Sequence, residues 1–305
     1  MRLNKGAAID VSQVTDRRGL IGRLAAGPAG WLISLILWIA GRKGGLPAVL
    51  AVLALLFVGS LGVHAITNRG DNSAITRECK SGNATDQLDC RNVLYINSIQ
   101  EYWSETLPTV FSATYTESDT VFFSGRTNTG CGNADSGTGP FYCPVDKLVY
   151  LDLSFYKELA NQLGAPGEFA QPYVLAHEYG HHVQDLVGTE AAMRRVQKRN
   201  PDEANKLSVM LELQADCYAG IWAKNATGTT DAKGNKIFES ISDQDIQQGL
   251  DTAAAIGDDT LQKEAGKPVD ERGFTHGSSA DRQKWFRTGH DSGDPRSCDT
   301  FGHAI

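Results

Sequence analysis

"AQPYVLAHEYGHHVQDLVG", residues 170–188, decides how the rest of the chain is read. Pro172 stands where a first helical turn tolerates proline, and Gly188 stands where a C-terminal cap belongs. Between them Val174, Leu175, Tyr179, Val183 and Leu186 recur at helical spacing. On that helix His177 and His181 are four apart, so their rings leave one face a turn from each other and can grip one ion. Glu178, beside the first histidine, can lean toward the same point. This is the H-E-x-x-H arrangement, two imidazoles for zinc and a glutamate as general base toward a water. His182 lies about 100° around the helix from His181 and reads as a polar support, not a ligand. Gly180 costs about 1 kcal/mol relative to alanine inside a helix, which the close approach of another backbone beside His181 would justify.

Two histidines and a base leave a catalytic zinc site one protein ligand short. A third histidine further along the same segment would need glycine and histidine at the positions held by Gln184 and Val187, so that route is closed. The stronger complement is "LELQADCYAG", residues 211–220, where Glu212 and Asp216 again stand four apart on a helical face. Glu212 facing the histidine pair from a second helix gives two histidines, one glutamate and an open position. Asp216 would accept a hydrogen bond from the far nitrogen of a ligand histidine and fix its tautomer. The run "MLEL" around Glu212 suits a buried strip, and a buried carboxylate wants a cation. A competing third ligand, Asp231 in "GTTDAKG", sits in a run that reads more simply as a turn.

Near the C-terminus, "FTHGSSADRQKWFRTGHDSGD" places His276 just before a helix start, with Ser278 as N-cap and Asp281 three further on. His276 is a candidate donor to the negative charge that builds on a carbonyl oxygen during amide hydrolysis. Arg282 is a candidate for binding a substrate carboxylate or carbonyl. The alternative for both is that they fasten the last helix.

The chain has 305 residues and a formal charge of −7. Residues 1–45 hold seven basic groups against Asp10 and Asp16, a balance of +5, and residues 46–66 hold no charge, so residues 67–305 carry −12. A body that acidic excludes nucleic acid as a partner, since phosphate binding needs a basic patch. "LPAVLAVLALLFVGSLGVHAI", residues 46–66, is predicted to be a transmembrane helix, because about 20 apolar residues span a bilayer core. A shorter apolar run at 28–41 reads as interfacial or re-entrant. The basic leader then places the N-terminus in the cytoplasm and residues 67–305 outside it, a single-pass topology at the cell membrane. A cleaved signal peptide ending at "VHA" is the competing reading.

All six cysteines (Cys79, Cys90, Cys131, Cys143, Cys217, Cys298) follow the apolar span, which suggests disulfides in an oxidising compartment. Short local loops favour Cys79 with Cys90 and Cys131 with Cys143, leaving Cys217 with Cys298. "TVFSATY", "DTVFFSG" and "KLVYLDLSF", between residues 105 and 155, are predicted strands, and the glycine-rich stretch before Cys143 a long loop. After residue 155 helices dominate. Besides 170–187, one opens on an Asn200, Pro201, Glu203 capping box, and two more fall near 243–256 and 279–289. Strands first and helices after indicate an α+β domain over residues 67–305.

"HEYGHH" together with "ELQAD", supported by "GPFYCP", "VYLDLSFY", "AAAIGDD" and "HGSSADRQKWF" in order along the chain, resembles the bacterial family of membrane-anchored neutral zinc metallopeptidases. The resemblance implies a predominantly helical, zincin-like fold with a small sheet. It also implies zinc as cofactor, His177, His181 and Glu212 as ligands, Glu178 as base, and a peptide or protein substrate, cell-wall peptides included. A reading from another class is a zinc-stabilised envelope binding or assembly module that cleaves nothing. Glu178 speaks against it, because a structural zinc is closed by four protein ligands and has no use for a base.

Overall fold

The computed structural model describes residues 1–18, 70–80, 84–161, 164–165, 167–302 and 304–305. The chain opens with β1 (Arg2–Leu3) and β2 (Val14–Asp16), followed by α1 (Ser73–Cys79) and α2 (Leu88–Phe111). Then come β3 (Thr120–Phe123), the hairpin β4 (Arg126–Thr129) and β5 (Gly132–Asp135), β6 (Phe141–Cys143) and β7 (Leu148–Asp152). Helices dominate the remainder: α3 (Phe155–Asn161), α4 (Ala170–Val187), α5 (Thr189–Arg199) and α6 (Ala204–Asn225). After β8 (Phe238–Ser240) come α7 (Asp243–Ala255), α8 (Asp258–Glu264) and α9 (Ser279–Ser292). The class is α+β, mostly helical with small sheets.

The main sheet has the order β2-β3-β7-β6, the first three strands parallel and β6 antiparallel at the edge. β3 is buried along its whole length and β7 nearly so, as central strands covered on both faces must be. Edge strand β6 runs beside the histidine helix α4, and this juxtaposition brings the sheet to the site.

Three sequence expectations are corrected here. "TVFSATY" is no strand. Its first residues end the 24-residue helix α2, which stops where Ser112 turns left-handed at φ 54°. The helix escaped notice because its buried positions mix Asn92, Asn97, Ser98 and Gln100 with Val93, Leu94, Ile96 and Ile99, which blurs the apolar period. Most of those polar groups find partners inside: Asn97 bonds Asp10 and Gln13, and Gln100 Oε1 accepts from Ser118 N at 2.9 Å, while Gln100 Nε2 is buried without a partner. The stretch before Cys143 carries β4, β5 and β6 where a loop was expected. The capping box at Asn200 does not form: residues Pro201–Glu203 make a 3-10 turn, and α6 begins after it.

The domain boundary also moves. β1 pairs with β8, β2 pairs in parallel with β3 through Val14↔Thr120 to Asp16↔Phe122, and Ala8 N donates to Asp231 at 2.6 Å. Residues 1–18 are therefore part of the body that was expected to begin at residue 67. Strands of one sheet cannot be shared across a bilayer, because their backbone pairing is continuous. A cytoplasmic 1–45 segment separated from the domain by one crossing is not compatible with this pairing. The apolar runs at 28–41 and 46–66 lie outside the described residues. Among the described residues no helix is long and apolar enough to cross a membrane.

Three disulfides staple the body. Cys79–Cys90 ties α1 to α2, Cys131–Cys143 ties the β4–β5 turn to β6, and Cys217–Cys298 ties α6 to the C-terminal segment across 81 residues. The last also closes the largest loop, worth about 4–5 kcal/mol in a chain-entropy account. α6 packs on α4 on one side and α9 on the other. Against α9 the two backbones touch: a Cβ on Gly220 would fall 2.0 Å from the Phe286 carbonyl oxygen, and one on Gly289 2.0 Å from that of Cys217. Only glycine fits at either place.

Candidate metal centre

The site forms where α4 crosses α6. A Cβ on Gly180 would lie 3.0 Å from Ala215 Cα and 3.1 Å from its carbonyl oxygen, so the glycine next to His181 permits the close approach of the second helix. That approach sets Glu212 against both histidines. His177 Nε2 is 3.1 Å from Glu212 Oε2 and His181 Nε2 is 3.4 Å from Glu212 Oε1. One donor atom from each of the three residues lies within 4.8 Å of the others. Two imidazole nitrogens and a carboxylate oxygen turned to one point suit zinc, which takes nitrogen and oxygen ligands at about 2 Å.

Asp216, wholly buried one turn along α6, receives His177 Nδ1 at 2.8 Å, the Tyr173 hydroxyl at 2.6 Å and Arg282 through Nε at 2.8 Å and Nη2 at 3.0 Å. Burial would raise the Asp216 pKa, but Arg282 and His177 outweigh it and bring it down to about 2. With a carboxylate at Nδ1, neutral His177 keeps its proton there and turns the Nε2 lone pair to Glu212. Burial alone would lower the His177 pKa, yet Asp216 and Glu212 push it up to about 10. The cluster wants positive charge, and a divalent cation answers the same field that a proton does.

Glu178 points from the same helix toward β6, where Tyr142 N donates to its Oε2 at 2.9 Å. Its pKa is raised, chiefly by burial and against the pull of His177 and His181. His182 faces away from His177, His181 and Glu212, reaching the Thr116 carbonyl oxygen at 2.7 Å and the Tyr142 hydroxyl at 3.2 Å. Asp231 sits in a turn, accepting from Ala8, Lys233 and Asn235 backbones.

An open cleft of about 530 Å³ runs over His177, Glu178, His181 and Glu212, walled by Phe141, Phe155, Val174, Leu211, Ile256 and Leu261. His276 stands on its wall, half exposed, with Nδ1 3.2 Å from Asp258 Oδ1. Asp258 also accepts from the backbone N–H groups of Thr275, His276 and Gly277 at 2.7, 2.6 and 3.0 Å, which fixes the turn carrying His276. Ser278 caps α9 through Asp281 N. Arg282 lines the cleft, but its side chain is buried and its guanidinium is committed to Asp216 and the Ile256 carbonyl. These bonds fasten the last helix, α9, to Asp216 on α6 and to the end of α7.

Sequence reasoning missed Tyr173, Gln184, Tyr142 and Asp258. Tyr173 was in reach, being one helical turn before His177 on the same face. Gln184 is three after His181 and accepts at 2.8 Å from its Nδ1. Tyr142 and Asp258 act through backbone amides, which no side-chain motif announces.

A profile for the family described as "Putative neutral zinc metallopeptidase" matches residues 3–301. The "Uncharacterized protein YpfJ" of Escherichia coli (strain K12) is 38% identical over 293 residues, 96% of each chain. Over 230 residues, 74% of this chain and 75% of theirs, the "Uncharacterized protein Mb2605" of Mycobacterium bovis and "Uncharacterized protein Rv2575" of Mycobacterium tuberculosis are each 45% identical. No solved structure matches the chain. A profile match of that extent, on a chain whose two helices bring His177, His181 and Glu212 together, shows that the chain belongs to the family described as "Putative neutral zinc metallopeptidase".

Proposed function

We propose that the protein is a zinc-dependent peptidase of zincin-like architecture that hydrolyses peptide bonds in its cleft. The observation that carries the reading is the convergence of His177, His181 and Glu212 donor atoms within 4.8 Å, with Glu178 on the same cleft floor. His177, His181 and Glu212 would hold the ion. Zinc supplies Lewis acidity there, bringing the pKa of water toward about 7 and polarising a carbonyl.

The chain's own groups do the rest. Glu178 has Oε2 held by Tyr142 N, which orients the carboxylate, while burial makes it a stronger base than a solvated one. It takes the proton of the attacking water and returns it to the leaving nitrogen. His276, held by Asp258 on the cleft wall, donates to the oxygen on which charge develops. The apolar walls accept side chains of an extended peptide, and substrates include proteins and cell-wall peptides.

The three disulfides support an oxidising, extracytoplasmic location for the domain. The apolar 46–66 stretch supports attachment to the membrane. Because Asp71 N donates to the Asp16 carbonyl oxygen at 2.8 Å, residues 18 and 70 then lie on the same face of the bilayer.

A non-catalytic zinc-stabilised module would leave Glu178 without a task. The two are separated by Glu178→Gln and a peptide-library cleavage assay. Zinc content is expected to persist while cleavage falls by about 10²–10⁴-fold. Undiminished cleavage in the variant contradicts the mechanism, and no cleavage by the wild type favours the binding module.

A further inference from the structure

Behind His181 runs a chain of neutral amides. Its Nδ1 lies 2.8 Å from Gln184 Oε1. Gln184 Nε2 donates to the Leu211 carbonyl oxygen at 2.7 Å and to Gln214 Oε1 at 3.1 Å, and Gln214 Nε2 donates to the Cys298 carbonyl oxygen at 2.9 Å. Gln184 is wholly buried and Gln214 nearly so, so neither amide can turn to water instead.

Backbone carbonyls only accept, and this fixes every link. The Cys298 carbonyl requires the NH₂ end of Gln214, which turns Gln214 Oε1 to Gln184. The Leu211 carbonyl requires the NH₂ end of Gln184, which leaves an oxygen for His181. An oxygen at Nδ1 requires a proton there, so neutral His181 presents its lone pair at Nε2, the atom 3.4 Å from Glu212. Two backbone carbonyls, those of Leu211 and Cys298, therefore choose the tautomer of His181. The second of them belongs to Cys298, whose place is set by its disulfide to Cys217 on α6.

We propose that Gln184 and Gln214 are positioning residues that act in series, holding His181 as a ligand through its Nε2 and taking their anchor from the disulfide-tied Cys298 carbonyl. The proposal rests on the metal-site reading above. An alternative in which the two amides merely fill the helix interface predicts lost stability with unchanged affinity for zinc in the molecules that fold.

The test is zinc affinity, measured by competition with a chromophoric chelator, in the full chain and in Gln184→Met, Gln214→Met and the double variant. Thermal unfolding with excess chelator monitors the fold. The wild type is expected to bind one zinc, and each single variant to bind it about ten- to a hundredfold more weakly, the usual scale for a lost partner of a ligand histidine. Because the residues act in series, the double variant should lose little more than either single one. Gln214→Met, which leaves Gln184 itself in place, serves as the decisive comparison if Gln184→Met does not fold. Unchanged affinity in the single variants, or multiplicative losses in the double variant, overturns the relay. Absence of zinc binding by the wild type instead overturns the metal site itself.

Discussion

His177 and His181 leave the same helix one turn apart, yet opposite chemistries back them. Behind His177 stands a buried charge, Asp216, balanced by Arg282 and the Tyr173 hydroxyl. Behind His181 stand two uncharged amides ending on a backbone carbonyl. Both fix a proton on Nδ1 and free Nε2, so the tautomer alone does not need an ion pair. What differs is the consequence of losing a member. A charged support strands an uncompensated carboxylate in the interior, whereas a neutral one strands single hydrogen-bonding groups.

The comparison is broken most sharply at Arg282. Arg282→Met leaves Asp216 buried with half its partners and is expected to cost about 3–5 kcal/mol, read as a shift in urea midpoint. Gln184→Met leaves the Leu211 carbonyl and Gln214 Oε1 without their donor and is expected to cost about 1–3 kcal/mol. Equal costs would erase the distinction between the two supports.

Asp258 extends the charged side to the turn that carries His276. Burial opposes its ionisation, but hydrogen bonds from His276, Gly277 and Thr275 hold its pKa down at about 2, against 3.8 for an ordinary aspartate. A depressed carboxylate contributes stability that is fully present above about pH 4 and is lost as pH falls toward about 2. Acid titration of the unfolding free energy should show that loss, about 1 kcal/mol once solvent screening is allowed for, and Asp258→Asn should flatten it. An unchanged slope in the variant would show that the turn is held by something else. The smallest effect is at Gly180. Alanine would gain about 1 kcal/mol of helix propensity and lose about 1–3 kcal/mol to overpacking against Ala215. A net loss of about 1 kcal/mol is expected, and a gain would mean the helices can part without cost.

The sequence made the candidate metal centre legible because its members obey local rules. His177 with His181 and Glu212 with Asp216 are each a helical turn apart, and Gly180 marked a close approach that Ala215 makes. The supports were less legible in proportion to their reliance on backbone. Gln184 needs a carbonyl from α6 and another, through Gln214, from the C-terminal segment, and no spacing rule joins residues 184 and 298. The fold was readable where one face is apolar, as in α4 and α9. It was unreadable in α2, whose buried face carries asparagines and a glutamine, Asn97 among them matched by Asp10 and Gln13 more than eighty residues away. β1 and β2 were hidden for a different reason: strands of two and three residues carry no periodicity, and their partners β8 and β3 come more than a hundred residues later.

The central claim is that α4 and α6 hold one metal jointly. Metal analysis of purified Glu212→Ala beside the wild type tests it most directly, because Glu212 is 35 residues from the His177 it faces. One zinc per wild-type chain and essentially none in the folded variant is the predicted result. Full zinc occupancy in Glu212→Ala would contradict it.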